Sequence, residues 1–303
     1  MAATGFRIQI PATTANCGCG YDSFGMALGY YNDIEIRESD AFSIDIEGEG
    51  ANTLAFTPQN LVVRSAQAAY ELAGISMPPL SFLCRNNIPL ARGMGSSSAA
   101  IVGGIYAANL MMGKPLDHPA MLELASKIEG HPDNVAPALY GGFTVIANEG
   151  GKQYIKKVAL PDTLHAVLAS PDFPISTKKA RAIMPRNVSL DDAVYSLSHA
   201  AYLALSIAEG DMAGLRAMLF DRLHQPYRFT LIKGAEDVVE AAIAAGAIGC
   251  VISGSGPTMI AFTEDDPILM ENIGYAMQEA FAAADVTAQI RKVEMDNQGV
   301  RLA

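Results

Sequence analysis

The chain has 303 residues, of which 50% are hydrophobic and 17% charged, and a formal net charge of −11. That length fits one large domain or two of ordinary size, and the composition supports a sizeable core rather than wholesale disorder. The acidic balance argues against nucleic acid as a partner, because that binding depends on Lys and Arg neutralising phosphates; a nucleotide ligand stays open, since backbone amides and a metal ion can meet its phosphates.

The opening M-A-A-T-G-F-R has no basic stretch followed by an apolar region, so no secretory signal is expected. No run of about 18 apolar residues is present, and no membrane span is expected. Cys17, Cys19, Cys84 and Cys250 fit neither zinc spacing nor a C-x-x-C redox pair. They read as small buried thiols of a reducing, cytoplasmic setting.

In chain order, residues 6–10, 33–37 and 42–46 read as strands and 60–72 has helical spacing. A short strand at 81–84 leads into a glycine-bearing loop, and a helix follows over 99–112, stopped by Gly113 and Pro115. A second helix spans 117–129, with Asp117 as its cap, and 143–147 reads as a strand. Asn148-Glu-Gly-Gly151 reads as a seam between two halves. Beyond it come a buried strand at 165–169, helices at 190–209 and 211–219, and a helix at 235–245 closed by Gly246. Strands at 249–252 and 258–262 flank Ser253-Gly-Ser-Gly-Pro257, and a helix at 267–284 and a strand at 288–293 finish the chain. Helices and strands mix without a strict βαβ rhythm, which predicts an α+β fold in two halves.

Four stretches carry candidate chemistry. P-L-A-R-G-M-G-S-S-S-A-A, residues 89–100, feeds a flexible loop into a helix start, where free amides and the positive dipole end form an anion site. It is neither a Walker A loop, for want of a lysine before the serines, nor a G-x-G-x-x-G turn. Glu129 ends the next helix, where the dipole disfavours a carboxylate. Either bulk water or a cation compensates; a hard cation would take Glu129, a hydroxyl of Ser96 or Ser97, and phosphate oxygens. His131-Pro-Asp-Asn134 follows directly. Its Asp133 or Asn134 can cap the next helix, or the turn can meet a substrate hydroxyl.

The third stretch is the glycine-rich opening loop from Pro11 to Gly25, which holds Asn16 and Asp22, an amide and a carboxylate suited either to a plain turn or to a substrate ammonium group. Fourth, Arg181 in T-K-K-A-R, and Arg222 and Arg228 in D-R-L-H-Q-P-Y-R, are candidates for carboxylate capture. The Gly254-Ser-Gly-Pro257 turn taken alone reads as a hairpin of little functional weight.

Together the opening P-A-T-T-A-N-C-G-C-G-Y-D-S-F-G-M-A-L, the G-M-G-S-S-S-A-A loop and the late S-G-S-G-P-T resemble the three motifs of the GHMP small-molecule kinases, in that superfamily's order and over nearly the whole chain. Within it, E-G-H-P-D-N-V-A-P-A-L-Y-G-G and S-T-K-K-A-R look like the homoserine kinases. The resemblance implies a two-domain fold, with a ribosomal-protein-S5-like ATP-binding domain at 1–155 and a ferredoxin-like α/β-sandwich domain at 156–303. It implies ATP-dependent phosphorylation of the L-homoserine hydroxyl on the route to threonine, with Mg²⁺, and a possible homodimer. By motif, the loop Pro89, Leu90, Ala91, Arg92, Gly93, Met94, Gly95, Ser96, Ser97, Ser98, Ala99 cradles the triphosphate, and Asn60 sits at the adenine. Ser97 and Glu129 hold the metal and, with Asn134, form the catalytic set. Asn16, Asp22, His131, Asn134, Arg181 and Arg228 surround homoserine. The resemblance also implies that the acceptor proton passes to the γ-phosphate without a dedicated base, Asp133 being the local candidate for one. Cys17 and Cys19 replace the family's usual apolar residue and proline, and Gln225 its glutamate.

Overall fold

The computed structural model describes residues 5–303; the N-terminal residues 1–4 of the secretory-signal reading lie outside them. One long hairpin organises the first sheet. β1 (Gly5–Ala15) and β2 (Phe24–Glu38) pair antiparallel, with a register shift between Pro11 and Ala12. Alternation is visible in the sequence only at their far ends, because residues 11–15 and 24–28 are buried throughout and period two is lost there. β3 (Ser43–Gly48) lies parallel to β4 (Leu80–Asn86), which pairs with β2. α1 (Leu61–Leu72) connects them.

β5 (Phe143–Glu149) branches from the near end of β2 and carries β6 (Lys152–Val158) at its edge. The expected seam at Asn148-Glu-Gly-Gly151 is instead the turn of this hairpin, with Gly150 and Gly151 at φ of 58° and 80°. The first sheet thus runs on to Val158, and β11 (Arg301–Leu302) returns from the end of the chain to pair with β1. β6 escapes prediction because K-Q-Y-I-K-K-V is an edge strand that turns lysines to water, a common protection of sheet edges. α2 (Ser96–Met111) packs against β1 and beside α1, α3 (His118–Glu129) and α4 (Val135–Tyr140). Covered on several sides, it is apolar nearly all round.

The second sheet is antiparallel in the order β10-β7-β9-β8, from β7 (Leu164–Pro171), β8 (Gly249–Ile252), β9 (Met259–Glu264) and β10 (Ala288–Glu294). Both its faces are buried. Val167, Ala169, Met259 and Ala261 pack under α9 (Ala235–Ala244) and α10 (Pro267–Ala283). The alternate residues Ala166, Leu168, Ile260 and Phe262 join the larger core with Leu203 of α6 (Leu190–Glu209) and Leu215 of α7 (Met212–Met218). Two-sided burial explains why β7, β8 and β9 read as largely apolar runs, unlike the edge strand β10. Two short helices, α5 (Thr177–Ala182) and α8 (Gln225–Phe229), are too brief for a periodic signal, yet they carry Arg181 and Arg228. The α+β expectation holds. All four cysteines are free and buried, and no helix among the described residues is long and apolar enough to cross a membrane.

Candidate active site

The loop after β4 turns through left-handed backbone at Ala91, Gly93 and Gly95, with φ of 54°, 75° and 69°. Glycine is required by contact as well as by conformation. A Cβ on Gly93 would strike the Ser253 carbonyl, and one on Gly95 would strike the Thr13 hydroxyl. Gly95 is the N-cap of α2 and offers no side chain, so the first-turn amides of Ser96, Ser97 and Ser98 have no protein partner among the described residues. The loop is clamped from behind. Thr13 N–H donates to the Met94 carbonyl at 3.1 Å, Thr258 N–H to that of Arg92 at 3.3 Å, and Ser253 Oγ to that of Gly93 at 2.7 Å. The late glycine turn is therefore no free hairpin, as its sequence alone suggests. It is the wall against which the loop is set, and Gly254 and Ser255 line the cavity.

That cavity, of about 250 Å³, lies between the two sheets' units. On one side Ser97 Oγ donates to Glu129 Oε1 at 2.5 Å and Ser98 Oγ to the same oxygen at 3.0 Å. The carboxylate at the end of α3 thus meets two hydroxyls at the start of α2. Gly130, at φ 93°, ends α3 and releases the chain toward the cavity. No group of three or more His, Cys, Asp or Glu residues stands ready to hold a metal among the described residues. One carboxylate and one hydroxyl suit a hard cation whose remaining ligands are phosphate oxygens and water.

The turn after α3 supplies the next edge. Neither Asp133 nor Asn134 caps α4 through its side chain. Asn134 Oδ1 instead accepts from Thr13 Oγ1 at 2.8 Å, and buried Asp133 meets His131 Nδ1 at 2.5 Å. That bond, above all, raises the imidazole's pKa above its ordinary 6.5. Asn134 is claimed by Thr13 of β1 and Asp133 by His131 of its own turn, not by the helix terminus, and both residues line the cavity.

Opposite stand the charged groups. Asn16 and Asp22 hold left-handed conformations at φ 69° and 55°, tied together by the Asp22 amide donating to Asn16 Oδ1 at 3.0 Å. Asn16 Nδ2 donates to the Gly254 carbonyl at 2.8 Å, bolting this loop to the late turn. Arg181 holds both Asp22 oxygens through two bonds of 2.9 Å, and this bond to Asp22 raises the arginine's pKa. Arg228 is 2% exposed, and its Nη1 donates to the Gly254 carbonyl at 3.0 Å. Its Nε is buried with no partner. A buried, unpaired edge of a guanidinium calls for an anion.

Most of the sequence candidates converge here: Asn16, Asp22, Ala91 to Ser97, Glu129, His131, Asn134, Arg181 and Arg228 all line the cavity. Pro89, Leu90, Ser98 and Ala99 do not. The Arg92 side chain turns away, donating to the carbonyls of Pro171 at 2.8 Å and Asp172 at 2.6 Å. Arg222 lies on the surface over the Tyr195 ring at 3.9 Å. Asn60 caps α1, accepting from Val62 N–H at 2.9 Å. It lines a second, more apolar cavity of about 170 Å³, with Leu54, Val62 and Leu90, that abuts Ser96 and Ser97. Thr13, Tyr21, Ser253 and His224 belong to the site's framework, with no role assigned to them from the sequence. The first three fall within the motifs that carry the family resemblance.

The chain matches the family model of the GHMP kinases N terminal domain at residues 60–142 and that of the GHMP kinases C terminal at residues 203–283. It is 41% identical over 292 residues to the homoserine kinase of Moorella thermoacetica, covering 96% of this chain and 98% of that one. It is 40% identical to the homoserine kinase of Thermosynechococcus vestitus, covering 96% and 97%. The crystal structure of homoserine kinase from Cytophaga hutchinsonii superposes with a TM-score of 0.89 at 30% identity, covering 99% of this chain and 97% of that one. The chain belongs to the GHMP kinases, in the branch formed by the homoserine kinases.

Proposed function

We propose that the protein transfers the γ-phosphoryl group of ATP to the side-chain hydroxyl of L-homoserine, giving O-phospho-L-homoserine and ADP. The observation that carries this reading is the pairing, across one cavity, of uncapped helix amides beside Ser97 and Glu129 with the opposed charges of Asp22, Arg181 and Arg228. The first set suits a polyphosphate and the second suits a zwitterionic amino acid.

Phosphoryl transfer asks mainly for positioning and charge stabilisation. The Ser96 and Ser97 amides and the α2 dipole receive the phosphates, and the second cavity beside Asn60 takes the adenine. Ser97 and Glu129 would hold Mg²⁺, which would supply charge neutralisation at the phosphoryl oxygens. Asn134 orients the acceptor hydroxyl, with His131 beside it. Asp22 receives the α-ammonium group, and Arg228 and Arg181 receive the α-carboxylate. Acceptor binding exchanges the Arg181–Asp22 pair for two new pairs, at little cost because both side chains are more than a third exposed. The hydroxyl proton passes to the transferred phosphoryl group. Support for a base-free step comes from the cavity wall, which offers no lysine to partner Asp133, and from the His131 bond that occupies Asp133 Oδ1.

We place the division between the ATP-binding and acceptor-side units after Val158, where the first sheet ends its hairpin. The reading includes a cytoplasmic setting, in which the four free thiols stay reduced, and a homodimer through α6. That helix exposes Leu190, Val194, Leu197, Tyr202 and Leu205, an apolar stripe that light scattering would find paired or unpaired. The reaction is tested by ADP release with Mg-ATP and a panel of L-homoserine, D-homoserine, L-threonine, mevalonate and galactose. Turnover with L-homoserine alone, with the phosphorylated product seen by mass, supports the reading. Preference for another alcohol overturns the acceptor assignment.

A further inference from the structure

Behind Arg228 lies a buried assembly that phosphoryl transfer leaves unused. His224, at 0% exposure, precedes α8. Its Nε2 lies 2.6 Å from the Gly18 carbonyl oxygen, and its Nδ1 lies 3.3 Å from Arg228 Nη1. A carbonyl only accepts and a guanidinium only donates, so these partners require a hydrogen on Nε2 and a lone pair on Nδ1. The ring is the neutral tautomer. Burial acts in the same sense, pushing the imidazole down to about 4. Asp221 Oδ2 stands 3.7 Å from Nε2, but that carboxylate is engaged by the amides of Leu223, His224 and Gln225 at 2.9, 2.7 and 2.7 Å. Tyr21 stacks on the imidazole with ring centres 5.2 Å apart. The same ring carries Arg228 at 5.1 Å and Arg181 at 6.0 Å.

Arg228 therefore has Nη1 tied twice, to His224 and to the Gly254 carbonyl. Its Nε is orphaned, and no protein group bonds Nη2 among the described residues. Nε and Nη2 form the guanidinium edge that meets a carboxylate through two parallel bonds.

We propose that His224 is a positioning residue for carboxylate recognition. It tethers Arg228 through Nη1 and the first loop through the Gly18 carbonyl. The Nε–Nη2 edge of Arg228, unclaimed by any protein group among the described residues, and the loop bearing Asp22 are thereby held at a fixed separation, matched to one amino-acid head. The inference rests on the reading of Arg228 as ligand of the substrate carboxylate. An untethered arginine must be ordered anew each time the acceptor binds, which weakens acceptor binding and leaves the nucleotide side untouched.

Two variants divide the tether. His224→Gln keeps a donor near the Nε2 position and loses the Nδ1 acceptor. His224→Asn keeps an acceptor near Nδ1 and loses its reach to Gly18. Each is first compared with the parent by circular dichroism and thermal melting. Kinetics are then measured with L-homoserine and with 3-aminopropanol, the same amino alcohol without the carboxylate. For His224→Gln the expected result is a KM for homoserine raised about tenfold, with kcat and the KM for ATP within about threefold. The kcat/KM for 3-aminopropanol stays within about threefold of the parent, and His224→Asn recovers part of the homoserine KM. Equal losses on both acceptors, or an unmoved homoserine KM, overturn the proposal. A separate control tests its foundation. If Arg228→Ala preserves the parent's preference for homoserine over 3-aminopropanol, the carboxylate reading itself falls and takes the proposal with it.

Discussion

The two sides of the cleft are built by different means. On the proposed assignment the nucleotide side is local: one loop of about ten residues and the first turn of α2, joined by the distant carboxylate Glu129. Its recognition elements are backbone amides and a helix dipole, which depend on conformation and tolerate most side chains. The acceptor side is assembled from the β1–β2 loop, the turn before α4, α5 and α8. Its elements are charged side chains that acquire meaning only once the fold brings them together. A polyphosphate can be held by a local motif, whereas a zwitterion needs convergent charges of both signs, and those are distributed over both units.

Substitutions on the acceptor side should therefore act on the acceptor alone. The largest effect is expected for Arg228→Ala. Truncating one partner of a buried charge pair costs about 2–5 kcal/mol, so kcat/KM for homoserine should fall roughly 30- to 5,000-fold with the KM for ATP nearly unmoved. An equal rise in both KM values would erase the distinction. Glu129→Gln is next, with kcat down on the order of 10²-fold and the Mg²⁺ titration shifted to higher concentration. An unchanged titration would remove Glu129 from the nucleotide side.

Asp133→Asn sharpens the comparison at the boundary between the two sides. A general base contributes about 10²–10⁴-fold. Without one, this variant retains measurable turnover, reduced less than about tenfold. A loss near four orders of magnitude with intact homoserine binding would make Asp133 the base.

The smallest effect concerns two histidines shifted in opposite senses. His131 is raised by Asp133, so its stabilising contribution is present below pH 6.5 and fades as the pH rises through the folded-state value. His224 is lowered by burial to about 4, so the unfolded chain binds the extra proton and stability declines as the pH falls from 6.5 toward 4. In thermal melts, His131→Gln should differ from the parent by roughly 1–2 °C at pH 6 and by less at pH 9. A difference that grows with pH would contradict the assignment.

What is legible in the sequence follows the same division. The glycines and serines from Gly93 to Ser98 announce a helix start, and Asp117 and Gly130 mark the ends of α3 because caps are local chemistry. Asn134 and Asp133 look like caps for the same reason, and only the pairing of Asn134 with Thr13 across the fold shows otherwise. Ser253 looks like hairpin punctuation until it meets Gly93. β6 is a lysine-rich edge, β11 is only two residues long, and β1 conceals its inner half through two-sided burial. His224 is invisible in the sequence, since its value lies in joining Gly18 to Arg228.

The most direct test is a pair of calorimetric titrations on the parent and on Arg228→Ala. One uses a non-hydrolysable ATP analogue with Mg²⁺, and the other uses L-homoserine in its presence. The account predicts that the variant binds the nucleotide analogue within about threefold of the parent while its affinity for homoserine drops at least about thirtyfold. Loss of nucleotide binding in step with homoserine, or homoserine binding as tight as in the parent, would contradict it.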